Sequence, residues 1–204
     1  MILKRIIDII ISIILLIFLS PLLLIISILI KLDSKGPVIF KQKRIGKNGD
    51  PFIMYKFRSM VKNAAKKGAK YRVTKNDKRI TKVGKILRKT SLDELPQLFN
   101  VLLGDMSLVG PRPTLDFIVN EYNDYQKKRL KVKPGITGLA QINGRQSLSW
   151  EEKIEYDILY IKNYSIWLDI KILFKTIFVI FKVSKTHKNK DVDDKEDPKS
   201  YFED

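Results

Sequence analysis

The chain has 204 residues, with 39 Lys plus Arg against 22 Asp plus Glu, a formal net charge of +17, one His and no Cys. Its length allows one buried core, or a core and a membrane segment, but not two full-sized domains. Without Cys, and with its lone His187 in a polar run near the end, a disulfide framework, a thiolate nucleophile, a cysteine or histidine zinc site and a Ser-His-Asp triad are disfavoured, so any chemistry must fall to carboxylates.

An apolar segment begins the chain. Ile9 to Ile30 is a run of 22 residues without a charge, 18 of them Ile, Leu or Phe. As a helix it is about 33 Å long, enough to reach across the hydrocarbon core of a bilayer. The run is too long for a signal peptide, and Lys31-Leu32-Asp33 follows it instead of a small-residue cleavage site. The segment therefore predicts membrane insertion.

The residues alone leave open whether this segment crosses the membrane. Basic residues flank both ends, so either spanning orientation places positive charge on the disfavoured side. Ser20-Pro21 lies at the middle, where proline removes a backbone hydrogen bond and serine can satisfy the freed carbonyl. A helix broken there could return to the face it entered from, whereas a kinked helix could still span.

The next segment is strongly basic. Residues 35–90 carry 19 bases against two acids and so contain all of the excess positive charge. Two short strands are predicted at 38–44 and 51–57, joined by a tight hairpin at Asn48-Gly49. Basic helices are predicted at 59–69 and 78–89. Attraction to anionic lipid headgroups, at about 1 kcal/mol per base, is the simplest role for this charge, and salt-dependent nucleic-acid binding is an alternative.

The remaining chain is mostly helical in pattern. A helical stretch over 91–103 closes at Gly104, and helices are predicted at 114–129, 149–163 and 166–183, separated by proline and glycine turns at 110–113 and 133–138. The last helix suits either the membrane interface or the domain's own core. The pattern predicts an α+β fold, mostly helical, with a small β-hairpin. Its divisions are a membrane helix over 1–33, a domain over 34–184 and a disordered polar tail over 185–204.

The most selective feature is a pair of adjacent acids. Asp93 and Glu94 are the only acidic residues between positions 78 and 104. One interpretation is a helix capping box with Ser91 as N-cap and Glu94 at N3, although Pro96 would then lie inside the helix. The other is a nucleophile beside a metal-binding or proton-accepting partner, as phosphoryl transfer needs.

Phosphate binding would have to rely on side chains. Gly46-Lys47-Asn48-Gly49 lacks the pattern of a P-loop or a dinucleotide fingerprint. Arg112 stands between two prolines, whose restricted backbone can aim a guanidinium at a phosphate. The candidate cations are Arg44, Lys56, Arg58, Arg88, Arg112 and Arg145.

Several motifs in order resemble one known family. The stretch 91–113 (SLDELPQLFNVLLGDMSLVGPRP) is similar to the core of the bacterial sugar transferases called monotopic phosphoglycosyl transferases. The likeness extends to 42–46 (QKRIG), 55–60 (YKFRSM), 133–145 (KPGITGLAQINGR) and 155–157 (EYD), covering about 180 residues in all. Agreement of this kind over many motifs is more specific than any one of them.

The resemblance implies an activity and its residues. Such enzymes transfer a sugar 1-phosphate from a UDP-sugar to polyprenyl (undecaprenyl) phosphate, release UMP and begin the assembly of a glycan. Asp93 matches the nucleophile that forms a covalent phosphosugar, and Glu94 matches the partner carboxylate, assigned to Mg²⁺. A one-step reaction in which either acid acts only as a base stays open. The implied substrate-binding or scaffold residues are Arg112, Arg145, Lys56, Arg58, Asp157, Arg88 and Arg44.

The resemblance also bears on the membrane. It implies a re-entrant helix broken at Ser20-Pro21, amphipathic interfacial helices, and a catalytic domain on the cytoplasmic face of the bacterial inner membrane, in contact with anionic lipids. The chain has no large extra N-terminal membrane region, so it is expected to be the minimal form of the family. Nucleic acid is not an expected partner. A membrane-anchored basic module without catalysis, binding anionic lipid or nucleic acid, remains the rival hypothesis.

Overall fold

A computed structural model describes residues 2–64, 77–144 and 147–186, with side chains up to residue 179. Within these ranges the fold is α+β and mostly helical, as predicted. Arg145, the middle of the basic block and the predicted disordered tail from residue 187 onward lie outside the described residues. The helices and strands are α1 (Ile2–Asp33), β1 (Ile39–Ile45), β2 (Pro51–Phe57), α2 (Lys82–Thr90), α3 (Gln97–Leu103), β3 (Ser107–Val109), α4 (Asp116–Val119), α5 (Asp124–Lys127), β4 (Gly135–Thr137), α6 (Leu139–Asn143), α7 (Trp150–Lys162) and α8 (Ile166–Thr186).

Helix α1 continues through the serine-proline pair. Pro21 lies inside the helix, and the Ser20 hydroxyl donates to the Ile17 carbonyl at 2.8 Å. That carbonyl is the one Pro21 would have bonded had it carried an N–H. The predicted rescue by serine is therefore confirmed, whereas the predicted break does not divide α1 into two helices. Among the described residues, α1 is the one helix long and apolar enough to cross a membrane, with a mean hydropathy of 3.2.

Both ends of α1 are bonded to the same domain. Near its start, Lys4 Nζ donates to the Asp169 carboxylate at 2.6 Å. At its other end, the buried Arg58 guanidinium donates to three main-chain carbonyls, that of Ile30 in the last turn and those of Ser34 and Lys35 just beyond it. A helix that simply crossed a bilayer would hold its ends about 30 Å apart on opposite faces. Here one domain holds both ends.

The β1–β2 hairpin agrees with its prediction. The strands pair antiparallel from Ile39 with Phe57 to Ile45 with Pro51. Asn48 and Gly49 turn the chain with φ of 59° and 88°. Asn and Gly are the residues that tolerate these positive angles, so the turn follows from local sequence.

Two helix predictions are wrong or too long. Within the predicted helix 59–69, the described residues 59–63 are not helical, because Met60 pairs with Ile80 in an isolated bridge. Helix α2 begins at Lys82 rather than 78, because the Thr81 hydroxyl accepts the Gly84 amide at 3.0 Å and caps it. A bridge between distant segments outweighed local helix propensity at both places.

The predicted helix 114–129 is also wrong. The chain forms α4, α5 and a 3₁₀ turn at Lys128–Lys131 instead. Asn123 and Gln126 form a capping box that restarts the chain at α5. The turn predicted over 133–138 contains β4, which pairs in parallel with β3, Ser107 opposite Gly135. This short parallel pair was not predicted.

The core lies between α3, β3, α7 and α8. Val101, Met106 and Ile172 are fully buried there, and Phe57 and Leu87 form a second cluster beneath the last turns of α1. Helices α7 and α8 confirm their predicted positions. Helix α8 buries Ile172 but exposes Trp167, Phe174 and Phe178 by 63–71%. One face of α8 therefore packs on the core, and large apolar side chains remain uncovered on the other.

Candidate active site

The two acids lie in a tight turn between helices. Helix α2 ends at Thr90, Ser91 adopts a left-handed conformation with φ of 59°, and Leu92–Glu94 form one turn of 3₁₀ helix. Pro96 then precedes α3 at its N-cap position, where it breaks no helical hydrogen bond. Ser91 makes no side-chain capping bond. The capping-box interpretation is therefore wrong, and the Glu94 side chain points elsewhere.

Glu94 is held between two cations. Its Oε1 accepts Lys56 Nζ at 2.8 Å and an Arg112 nitrogen at 2.5 Å, and a second Arg112 nitrogen lies 3.3 Å from Oε2. The Glu94 side chain is 14% exposed. Burial alone would raise its pKa, but Arg112 and Lys56 together hold the pKa of Glu94 well below its usual range. Glu94 is thus a fixed, ionised carboxylate.

Lys56 approaches this carboxylate from the hairpin. It lies near the end of β2, opposite Phe40, and its side chain is 15% exposed. Burial lowers the pKa of Lys56, and the charge of Glu94 opposes that effect. The ammonium of Lys56 therefore depends on its neighbouring carboxylates for stabilisation.

Asp93 differs from its neighbour. Among the residues that the structure describes, its carboxylate accepts no hydrogen bond and forms no ion pair. Burial and the charge of Glu94 raise the pKa of Asp93, while Lys56, Arg88 and Arg112 oppose that rise. Both lone-pair sets of an ionised Asp93 remain available, as a nucleophile requires.

The loop that carries Arg112 is bonded at every carbonyl from 111 to 114. Strand β1, the 3₁₀ turn at Lys128–Lys131 and strand β4 supply the donors. The acceptor and donor pairs are Pro111 with Gly135 N at 2.9 Å, Arg112 with Arg129 at 3.0 Å, Pro113 with Arg44 at 3.3 Å and Thr114 with Ile45 N at 3.0 Å. A Cβ on Gly135 would lie 2.1 Å from the Gly110 amide nitrogen, so this close approach requires glycine. The loop therefore has little freedom to move the guanidinium it presents.

The other predicted site residues divide into three groups. Arg88 is exposed at the end of α2, and its charge acts on Asp93. Arg44 supports the Arg112 loop from behind, through the Pro113 carbonyl. Arg58 lies 5% exposed and serves the end of α1, so the structure does not bring it to the carboxylates. Arg145 lies outside the described residues.

Asp157 belongs to a buried network that the sequence only partly indicated. Its Oδ2 accepts the Arg129 guanidinium at 2.5 Å, and both side chains are 3% exposed. Asp157 thus supports the Arg112 loop through Arg129 and does not line the space beside Asp93. Arg129 was missed, because its place in a run of exposed-looking bases, 127–131 (KKRLK), carries no signal of burial.

The carboxylates suit Mg²⁺ shared with a phosphate substrate. No group of three or more metal-ligating side chains occurs in the described part of the chain. Mg²⁺ commonly takes only one or two protein carboxylates and completes its shell with substrate phosphates and water. Glu94 is ionised, and its Oε2 has only the 3.3 Å contact with Arg112 among the hydrogen bonds above. The residues present therefore fit such an ion.

The chain is similar to a known family over nearly its whole described length. A family model described as bacterial sugar transferase matches residues 1–183. The UDP-glucose:undecaprenyl-phosphate glucose-1-phosphate transferase of Klebsiella pneumoniae is 53% identical over 188 residues, which cover 87% of this chain and 40% of that protein. The uncharacterized sugar transferase EpsL of Bacillus subtilis is 49% identical over 177 residues, covering 87% of this chain and 86% of that one.

A third relative acts on a different sugar nucleotide. The UDP-N-acetylgalactosamine-undecaprenyl-phosphate N-acetylgalactosaminephosphotransferase of Aeromonas hydrophila is 46% identical over 183 residues, covering 87% of this chain and 43% of that protein. The chain thus spans about two fifths of the Klebsiella and Aeromonas relatives and most of the Bacillus one. The shared part includes the Asp93-Glu94 turn and the Arg112 loop.

Proposed function

The chain belongs to the bacterial sugar transferase family, and on that premise we propose that it transfers a sugar 1-phosphate from a UDP-sugar to polyprenyl phosphate and releases UMP. The observation that carries the proposal is the contrast between two adjacent carboxylates. Glu94 is held by Lys56 and Arg112, whereas the adjacent Asp93 carboxylate has no hydrogen bond or ion pair with any described residue. One acid is thus organised to hold charge in place, and the other is left to react.

The first step is attack by Asp93. A carboxylate oxygen of Asp93 forms a bond to the β-phosphorus of the UDP-sugar, and the bond from that phosphorus to the oxygen bridging the two phosphates breaks. UMP leaves with the bonding electrons, and an aspartyl phosphosugar remains. Asp93 needs no base for this step, because it reacts in its ionised form.

In the second step the acceptor phosphate displaces the enzyme. An oxygen of polyprenyl phosphate bonds to the same phosphorus, and the bond from phosphorus to Asp93 breaks. The products are a polyprenyl diphosphate sugar and the original carboxylate. Two steps allow a soluble donor and a membrane-bound acceptor to use one site in turn.

The cations of the site offset the negative charge that these two steps bring together. Attack of a carboxylate on a diphosphate brings like charges together, and preorganised cations offset that repulsion. Arg112 is 51% exposed, so its guanidinium faces both Glu94 and the solvent side where a diphosphate would enter. Arg88 is the second exposed arginine near Asp93. We assign Mg²⁺ to Glu94 together with the substrate phosphates, and when bound it would neutralise part of the diphosphate charge.

The nucleophile is tested with labelled donor and no acceptor. Incubation with a panel of UDP-glucose, UDP-galactose and UDP-N-acetylgalactosamine should leave a phosphosugar adduct on the intact protein, located to Asp93 by peptide mass analysis. Asp93→Asn should abolish both the adduct and UMP release. The matched control is Asp124→Asn, since the Asp124 side chain is 100% exposed. UMP release without an adduct supports the one-step reaction instead, and full activity of Asp93→Asn refutes the assignment.

We also propose that α1 is re-entrant, with the domain on the cytoplasmic face of the inner membrane. The support is that bonds from one domain hold both ends of the apolar helix, at Lys4 and beyond Asp33. Because the chain has no Cys, single cysteines can be placed at Ile2 and Lys35. In right-side-out vesicles, both should react with an impermeant maleimide only after permeabilisation. Reaction of one end in sealed vesicles would mean that α1 spans.

A further inference from the structure

A buried arginine lies directly behind the Arg112 loop. Arg129 is 4% exposed, and its guanidinium is shared among three acceptors. It donates to the Asp157 carboxylate at 2.5 Å, to the Tyr122 hydroxyl at 2.6 Å and to the Arg112 main-chain carbonyl at 3.0 Å. One planar, rigid donor thus bonds to α7, to the connection between α4 and α5, and to the Arg112 loop.

Two aromatic rings and a buried carboxylate confine the Arg129 guanidinium. Its guanidinium carbon lies 5.4 Å from the centre of the Trp150 ring and 5.7 Å from that of the Tyr122 ring. Asp157, its charge partner, is itself only 3% exposed. A buried ion pair adds little net stability over apolar residues of the same size, so stability alone gives no reason for one here. Its geometric effect is to fix the loop.

Tyr122 extends the network to a second point on the loop. Its hydroxyl accepts from Arg129 and lies 2.9 Å from the Thr114 hydroxyl. The network therefore bonds the main chain at residue 112 and the side chain at residue 114. Between them stands Pro113, whose ring restricts the backbone further.

We propose that Arg129, held by Asp157 and Tyr122, is a positioning residue that sets the Arg112 guanidinium against Glu94 and the substrate diphosphate. This inference rests on the proposed function. Arg129 acts through the Arg112 carbonyl and does not touch substrate. The carbonyl bond fixes the backbone from which the Arg112 side chain extends, and that side chain reaches Glu94 at 2.5 Å. A shift of the loop would therefore move the Arg112 guanidinium away from Glu94 and from the substrate diphosphate.

The test uses two variants that spare the fold. Tyr122→Phe removes one hydroxyl and keeps the ring. The double variant Arg129→Gln with Asp157→Asn exchanges the ion pair for a neutral polar pair, so no buried charge is left alone. Tyr125→Phe is the matched control, because that hydroxyl donates to Glu155 at 2.8 Å and not to the network. Thermal unfolding of each variant reports whether it folds.

The discriminating readout is a double-mutant cycle with Arg112→Lys. For UMP release, Tyr122→Phe and the double variant should each lower kcat/KM about tenfold, which corresponds to about 1.4 kcal/mol. The same exchanges should change kcat/KM less than about twofold in the Arg112→Lys background, since residues that act through one another are not additive. The loss of kcat/KM in these variants should also be shared between KM and kcat in the same proportion as the loss in Arg112→Lys.

Several results overturn the inference. The inference fails if the effects on kcat/KM add fully to that of Arg112→Lys. It also fails if the variants lower kcat at unchanged KM only in proportion to the folded protein that they lose. An effect of Tyr125→Phe equal to that of Tyr122→Phe does so too. These failures leave UMP release by the unsubstituted protein intact and so spare the proposed function. No UMP release by the unsubstituted protein with any donor overturns both.

Discussion

Replacement of each of the two adjacent acids by its amide should change thermal stability in opposite directions: Glu94→Gln should lower it and Asp93→Asn should raise it. Glu94→Gln removes the charge that pairs with Lys56 and with Arg112. The Lys56 side chain is 15% exposed and that of Arg112 is 51% exposed. Removal of one partner costs about 3–5 kcal/mol in a buried pair and about 0–1 kcal/mol in an exposed one, so we expect about 2 kcal/mol here. For a chain of this length, that corresponds to a fall in Tm of about 4–8 °C.

Asp93→Asn should instead raise Tm near neutral pH. Burial and Glu94 raise the pKa of Asp93, so the ionised form costs stability in the folded protein. Such a contribution is complete below the unfolded pKa of about 3.9 and declines as pH rises through the folded pKa. The gain from Asn is therefore present at about pH 7.5 and vanishes as pH falls towards 4.

Glu94 follows the reverse rule. Burial opposes its ionisation, but Arg112 and Lys56 hold its pKa below the usual range. Its stabilising contribution is therefore present above the unfolded pKa of about 4.3 and is lost only as pH falls through the lower folded pKa. As pH falls towards about 4.3, the deficit of Glu94→Gln should persist, whereas the gain from Asp93→Asn should shrink because the raised folded pKa of Asp93 is passed first.

Differential scanning fluorimetry in detergent with EDTA measures both effects free of metal. Asp124→Asn and Glu151→Gln are the controls, since both carboxylates are exposed. Each control should leave Tm within about 2 °C of the parent, as exposed substitutions commonly do. A stable Glu94→Gln, or an Asp93→Asn that is destabilised at about pH 7.5, would refute the contrast between the two carboxylates.

Three further outcomes are expected. EDTA should suppress UMP release and added Mg²⁺ should restore it, whereas release that persists in EDTA would contradict the metal assignment. Ser20→Ala should speed hydrogen exchange around the middle of α1 more than Ser27→Ala. The Ser20 hydroxyl bonds a carbonyl that the following proline leaves without a helical donor, whereas the carbonyl bonded by Ser27 also has its helical N–H. Equal exchange in the two variants would contradict that reasoning. Lys4→Met should cost about 3–5 kcal/mol, seen as a lower Tm, because the buried Asp169 keeps the Tyr160 hydroxyl but loses its cation. The double variant Lys4→Met with Asp169→Leu should recover most of that loss, and a failure to recover would contradict this reasoning.

Several elements could be predicted because their causes lie within a few residues. The apolar run of α1 follows from composition, and the hairpin from Asn48-Gly49, whose positive φ angles few other residues adopt. The capped start of α7 at Ser149 follows from its Glu152 partner. The Asp93-Glu94 pair stood out as the only acids in a basic stretch, and the family resemblance assigned their roles.

Other features depended on partners far along the chain. Arg58 and Lys56 are two residues apart in one basic segment, yet Arg58 serves the end of α1 and Lys56 pairs with Glu94. Their side chains leave β2 and the residue after it in different surroundings, which composition does not encode. The expected helix over 114–129 failed for the same reason, because the buried bonds of Tyr122 and Arg129 outweigh local propensity there.

By itself, the sequence determined an apolar N-terminal helix, a basic domain without histidine or cysteine chemistry, and one outstanding pair of carboxylates. Only the tertiary structure decided that Glu94 is bonded to two cations while Asp93 bonds to none of the described residues, and that the start of α1 and the residues beyond its end are held by one domain. The physical reason is distance along the chain. Propensities, turns and caps act within a few residues, whereas burial and charge pairing join Lys4 to Asp169 and Arg129 to Asp157, and those contacts exist only once the chain has folded.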